Sequence, residues 1–157
     1  MAHGLLTWNG YAAGSGGRSP EMPIPQPSFP PVHDAEHCPV LIVEDDADLR
    51  EMMAQLLSLE GFQTRTASNG RDALDYMHQS GDRPDLILLD LMMPVMDGWE
   101  FRRHQEQDPA ISRIPVVVLS ALDPSRAGDL HADAFLKKPL DFDRLLDLVR
   151  RHCGSQA

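Results

Sequence analysis

Cysteine is scarce in this chain: two residues, Cys38 and Cys153, stand far apart and outside any metal-ligand spacing. That excludes a cysteine-built metal site, and the spacing alone reads as two reduced thiols, as suits a cytoplasmic protein. Basic residues are also few, 14 Lys and Arg against 24 Asp and Glu, for a formal net charge of -10. Nucleic-acid binding by the charge of the whole chain is excluded, because phosphate affinity needs clustered Lys and Arg. A divalent cation or a basic partner surface fits this balance better. No apolar run approaches the roughly 20 residues of a membrane helix, and the start lacks the basic stretch and apolar core of a leader peptide. The expectation is a soluble, unexported, cytoplasmic protein with no membrane partner. The 157 residues that are present make room for one ordinary domain and a tail.

Composition changes near residue 37. Residues 1–37 hold Gly14, Ser15, Gly16 and Gly17, then Pro20, Pro23, Pro25, Pro27, Pro30 and Pro31, with few aliphatics and no periodicity. Such a stretch buries too little to offset its ordering entropy, and is expected to be a disordered tail. From residue 38 to 153, short apolar runs alternate with amphipathic stretches, and residues 154–157 form a second short tail. Val40–Val43, Leu86–Leu89 and Val116–Leu119 are continuous apolar runs of strand length, as buried parallel strands require. Phe62–Ala67 is more polar, like an edge strand. Leu49, Met52, Met53, Leu56 and Leu57 repeat at helical spacing, as do Ala73, Leu74 and Met77, and Phe142, Leu145, Leu146 and Val149. Asp46, Asn69 and Asp141 occupy N-cap positions ahead of these helices, and Asp97 precedes a fourth with a weaker stripe. The alternation predicts an α/β fold: a five-stranded parallel sheet built from five strand–helix units, with helices on both faces.

In open parallel sheets, ligands bind beyond the carboxyl ends of the strands. The first strand ends in Glu44, Asp45 and Asp46, the third in Asp90, the fourth in Ser120, and the fifth runs into Lys137, Lys138 and Pro139. Converging carboxylates repel each other unless a cation or lysine sits among them, and hard oxygen ligands of this kind suit Mg2+. Asp46 is equally well read as a helix cap, and Pro94 and Gly98 as residues that shape the loop after Asp90. Met92, Met93 and Met96 read as loop packing, Lys137 as a solvated neighbour, and the seven histidines carry no ligand spacing.

The segments VLIVEDD, LILLDLMMPVMDG, VVVLSA and FLKKP resemble, in order, the four signature strand ends of bacterial response-regulator receiver domains of the CheY-like type. The resemblance covers residues 38–153 and implies a flavodoxin-like receiver fold with strand order 2-1-3-4-5. It implies Asp90 as the phosphorylated side chain, and a Mg2+ site made by Glu44, Asp45, Asp90 and the backbone carbonyl of Met92. Ser120 and Lys138 would bind the phosphoryl group, and Phe135 falls at an aromatic switch position. The implied partners are a sensor histidine kinase or a phosphotransfer protein and an unnamed downstream protein, with the chain a monomer or weak homodimer. With only a short tail after the last helix, a single-domain regulator that catalyses only its own phosphoryl transfer is expected, with no DNA-binding output domain.

Two departures from the family pattern stand out. The stretch 121–137 is about one helical turn shorter than usual, so the fourth helix, around Ser125–Leu130, is expected to be short or irregular, which puts the usual output face in doubt. His131 replaces a common glycine before the fifth strand, where a left-handed turn would be strained. Met92 and Leu122, which flank the site in the family, are apolar here and offer nothing to orient a hydrolytic water, so slow self-dephosphorylation is expected. Other readings are weaker. An aspartate-nucleophile phosphatase needs an acid two residues after the nucleophile, where Met92 stands. A flavodoxin-like cofactor carrier needs a Ser-, Thr- and Gly-rich loop in place of Glu44, Asp45 and Asp46. A degenerate receiver would not keep the full residue set.

Overall fold

The computed structural model describes residues 38–154; the expectations for 1–37 and for the last three residues lie outside the described residues. Five strands, β1 (Pro39–Val43), β2 (Gln63–Ala67), β3 (Leu86–Asp90), β4 (Val116–Ser120) and β5 (Ala134–Lys137), form one parallel sheet in the order β2-β1-β3-β4-β5. The four α-helices are α1 (Ala47–Leu59), α2 (Gly70–Ser80), α3 (Gly98–Gln107) and α4 (Phe142–Gly154). The last helix thus takes in Gly154, one residue beyond the expected boundary.

Each helix starts where a short acceptor side chain meets exposed backbone donors. Asp46 accepts from the amides of Asp48 and Leu49, Asn69 from Asp72, Asp97 from Glu100 and Asp141 from Arg144. β3 and β4 are buried throughout, while β2 is mostly exposed, the difference between central and edge strands. Alternation of side chains divides the core into two layers. Leu41, Val43, Ile87, Leu89, Val116 and Val118 pack with α2 and α3; Val40, Ile42, Leu86, Leu88, Val117 and Leu119 pack with α1 and α4. In α1 the expected core stripe is narrower than its spacing implied. Met53 and Leu57 are buried, but Met52 is 51% exposed, because it sits at the edge of the stripe that meets the sheet.

The fourth unit has no α-helix. Between β4 and β5 the chain makes a single 3-10 turn, Pro124–Arg126, so four helices rather than five cover the sheet. The anticipated left-handed residue is Gly128, with φ 70°, and not His131, so no side chain bears that strain. The loop is held from α3. Trp99 donates its indole N–H to the carbonyl of Ala127 at 3.0 Å. Arg102, buried beside it, donates Nε and Nη2 to the carbonyl of His131 at 3.0 and 2.7 Å and Nη1 to Gln105. Gln105, fully buried, passes its amide protons to the carbonyls of Ile111 and Ile114. Trp99 and Arg102 thereby satisfy carbonyls of the irregular stretch between β4 and β5, and Gln105 satisfies those of the connection between α3 and β4.

The expectation of two reduced thiols is overturned: Cys38 and Cys153 form a disulfide, with their Cα atoms 5.7 Å apart. Spacing could not reveal the pair, because 115 residues separate cysteines that only the folding of α4 against β1 brings together. Arg102→Ala is expected to destabilise the domain by about 2–3 kcal/mol, since the His131 carbonyl and Gln105 lose a charged partner together. Urea unfolding of the full chain measures this, and Arg103→Ala, one residue away on the same helix, serves as the comparison.

Candidate functional site

Parallel strands deliver their carboxyl ends to one edge of the sheet, and there the sequence places its acids. β1 pairs with β3 so that Val43 lies beside Leu89, which sets Glu44 and Asp90 side by side one residue further on. One ligand oxygen from each of Glu44, Asp45 and Asp90 lies within 4.8 Å of the others. Glu44 and Asp90 are buried, at 1% and 3% exposure, while Asp45 is exposed.

Lys138 arrives from the far edge. Its backbone amide donates to the carbonyl of Ser120 at 2.9 Å, which places it beside the end of β4. From there its Nζ reaches Glu44 Oε2 at 2.8 Å and Asp90 Oδ1 at 3.4 Å. Lys137 points elsewhere, to Asp123 at 2.6 Å on the surface. The rest of the rim is backbone-rich. The Met92 amide donates to Asp90 Oδ1 at 3.3 Å, and the Asp46 amide to Glu44 Oε1 at 3.2 Å. Arg50, on the first turns of α1, donates to the carbonyl of Glu44 at 2.8 Å. Sequence reasoning gave Arg50 no part, although its spacing from the acidic loop across one helical turn was the available signal.

Ser120 is buried, and its hydroxyl accepts from the Leu122 amide at 3.0 Å. Register pairs Val118 with Phe135 and Ser120 with Lys137, so by the two-residue period Ser120 shares the face that carries Phe135. Phe135 is half-buried at the margin of the layer under α2 and α3. Met92, two residues after Asp90, is 61% exposed, while Met93 and Met96 pack into the core. The methionine cluster therefore splits into two packing residues and one rim residue.

The loop after Asp90 leaves little room for change. The Gly98 amide donates to the Leu91 carbonyl at 2.9 Å, and a Cβ on Gly98 would lie 2.6 Å from the carbonyl oxygen of Asp90. Glycine is needed there because backbone meets backbone. Val95, at the loop tip and 78% exposed, has φ 69°, a costly conformation for a β-branched residue and a local strain that the anchored loop ends sustain.

Burial pushes the Asp90 carboxyl up to about 7; the neighbouring Glu44 charge adds to the rise, and Lys138 holds it back. For Lys138 burial opposes the charged form, but the hydrogen bond to Glu44 and the charges of Asp90 and Glu44 outweigh it and raise its pKa. Three carboxylates thus face one ammonium, and in the absence of another cation a proton on Asp90 relieves the excess. A hard divalent ion does the same with the oxygen donors present, so the donor set and its charge fit such an ion. A groove between α3 and the loop after β4, lined by Trp99, Arg102, Asp129 and Leu130, is separate from these acids.

Asp90 binds a proton in the folded metal-free state that the unfolded chain, with an ordinary value of 3.8, releases earlier. The stability it contributes is complete below that ordinary value and is lost as pH rises through about 7. In the presence of a chelator, the wild-type Tm is expected to fall between pH 5 and 8. Asp90→Asn should melt several degrees higher than wild type at pH 8 and within about a degree of it at pH 5. Thermal melts at the two pH values check this, and a wild type as stable as the variant at pH 8 contradicts it.

The fold and these residues find counterparts among known proteins. Response regulator MprA of Mycolicibacterium vanbaalenii is 38% identical over 115 residues, covering 71% of this chain and 48% of that protein. The chain thus spans about half the length of the first curated relatives it matches. The polar-differentiation response regulator DivK of Brucella anthropi is 29% identical over 120 residues, 74% of this chain and 96% of that protein. Among solved structures, the receiver domain of a Pseudomonas aeruginosa PAO1 sensor histidine kinase, with magnesium coordinated in its active site cleft, is 25% identical with a TM-score of 0.67. It covers 74% of this chain and 98% of its own. Residues 40–150 match the response regulator receiver domain, and the chain belongs to that family of two-component signalling domains.

Proposed function

We propose that this chain is a phosphoacceptor whose Asp90 is phosphorylated, in the presence of Mg2+, by a histidine kinase or phosphotransfer protein. The observation that carries this reading is Lys138 Nζ held between Glu44 and Asp90 at 2.8 and 3.4 Å. A lysine just after β5, a glutamate just after β1 and the last residue of β3 are gathered at the one place where a nucleophilic carboxylate needs its charge managed. Domains of the family serve signalling rather than acting as ordinary enzymes, and interact with kinases or phosphotransfer proteins in general.

Each residue has a separate task. Glu44, Asp45, Asp90 and the Met92 carbonyl would hold Mg2+, and the magnesium in the cleft of the Pseudomonas receiver domain supports that assignment. When bound, the ion neutralises phosphoryl oxygens and keeps Asp90 ionised. A carboxylate oxygen of Asp90 attacks the phosphorus of the donor, the donor's bond to phosphorus breaks, and the phosphoryl group ends on Asp90. Lys138 stabilises the transferred charge. Ser120, released from the Leu122 amide, donates its hydroxyl proton to a phosphoryl oxygen. Phe135, on the same face, then fills the space this vacates, and the surface formed by β4, β5 and the short loop between them changes.

The readings of residues 38–153 as the receiver unit, of a regulator acting in the cytoplasm, and of a monomer or weak homodimer belong to the same proposal. Among the described residues no helix is long and apolar enough to cross a membrane. No role is proposed with nucleic acid or a membrane.

Full-length protein incubated with Mg2+ and acetyl phosphate is expected to gain the mass of one phosphoryl group, and Asp90→Asn none; an unmodified wild type contradicts the proposal. With apolar Met92 and Leu122, the phosphorylated form is expected to persist for minutes or longer, and decay within seconds would refute that. Ser120→Ala should still be phosphorylated, but the change in Phe135 environment, read by fluorine NMR of labelled phenylalanine, should disappear.

A further inference from the structure

We infer that Cys38 and Cys153 form a reversible disulfide clasp, a redox modification site at the end of the sheet opposite the acids. Cys38 immediately precedes β1, and Cys153 lies in the last turn of α4. Glu44 follows the other end of β1, six residues on from Cys38, which is about 20 Å along an extended strand. The clasp therefore ties the outer end of the last helix to the root of the first strand without touching the phosphoacceptor residues.

Three features make this pair a modification site rather than incidental neighbours. The Cα separation of 5.7 Å falls at the common value for disulfides, so bonding requires no backbone movement. The sulfurs differ in access: Cys38 is 4% exposed, whereas Cys153 is half-buried at the helix end. A thiolate from solution therefore attacks the Cys153 sulfur. That bond forms as the Cys38–Cys153 bond breaks, and the electron pair leaves on the Cys38 sulfur, which takes up a proton. A second thiolate of the reductant attacks the mixed disulfide and frees Cys153 as a thiol. Oxidation is the reverse, with glutathione disulfide as oxidant: two protein thiols yield one protein disulfide and two glutathione thiols.

The third feature is what the bond encloses. It closes a loop with a sequence separation of 115 residues, nearly the whole described domain. Long loops lose most entropy in the unfolded chain when cross-linked. α4 is otherwise held by Leu145, Leu146 and Val149 against β1, β3 and β4 and by the Arg150–Glu60 pair at 2.6 Å. Its final turn also carries Cys153, which the disulfide joins to the residue before β1. Reduction removes that tie from the last turn, which keeps the Arg150–Glu60 pair, and removes the cross-link from the unfolded state, so redox state sets how firmly the last helix is kept.

The full chain, equilibrated with glutathione disulfide or with excess dithiothreitol, tests this directly. The oxidised sample is expected to be about 2 Da lighter by intact mass and to resist alkylation. It should melt about 10 °C or more above the reduced one. Cys153→Ser, altered at the half-buried partner, should melt near the reduced wild type and ignore dithiothreitol; Cys38→Ser should behave alike. Two alkylatable thiols after equilibration with glutathione disulfide, or equal melting temperatures of oxidised and reduced wild type, would overturn the clasp.

Discussion

The site depends on one electrostatic problem, the confinement of the Glu44 and Asp90 carboxylates, with Asp45 at their edge, in a place that water cannot fully screen. Lys138 answers part of it. Its ammonium sits against both buried acids, and the incomplete neutralisation leaves Asp90 with a carboxyl raised to about 7. The residual negative charge makes the strand ends receptive to a divalent cation, and a lysine with a raised pKa stays charged while it waits. The same cluster that destabilises the metal-free fold supplies the oxygen donors that fit a divalent cation.

Placing those charges requires the sheet, and the sheet requires buried strands on both faces. Val40–Val43, Leu86–Leu89 and Val116–Leu119 supply two apolar layers at once, so the charged residues can appear only where each strand leaves the core. The loop after Asp90 is fixed by similarly simple means. Gly98 admits the carbonyl of Asp90, the Gly70 amide donates to the Met96 carbonyl at 3.0 Å, and buried Met96 plugs the space between. Val95 at the tip carries the strained backbone that those anchors impose.

The fourth unit shows how a fold tolerates a missing helix. Losing the helix removes internal hydrogen bonds from the backbone between β4 and β5, and a buried carbonyl without a donor is costly. α3 compensates with side chains: Trp99 donates to the Ala127 carbonyl and Arg102 to the His131 carbonyl. That arrangement keeps β5 in register, and so keeps Lys138 and Phe135 in place, while the surface above becomes a loop and an open groove instead of a helix face.

Local chemistry in the chain determined the strands, the parallel α/β class, the four helix caps and the acidic strand ends. These follow from residue type and spacing, which act over a few residues and do not depend on distant partners. Tertiary structure alone decided which of the α1 apolar residues face the core. It also selected Gly128 for the left-handed turn and gave Arg102 its buried partners. It decided too that Lys138, 94 residues beyond Glu44, would meet it, and that two thiols at the ends of the domain would bond. Cys38 and Cys153 carry no local signal, because their pairing is a property of how α4 lies on β1 and of nothing in the sequence near either one.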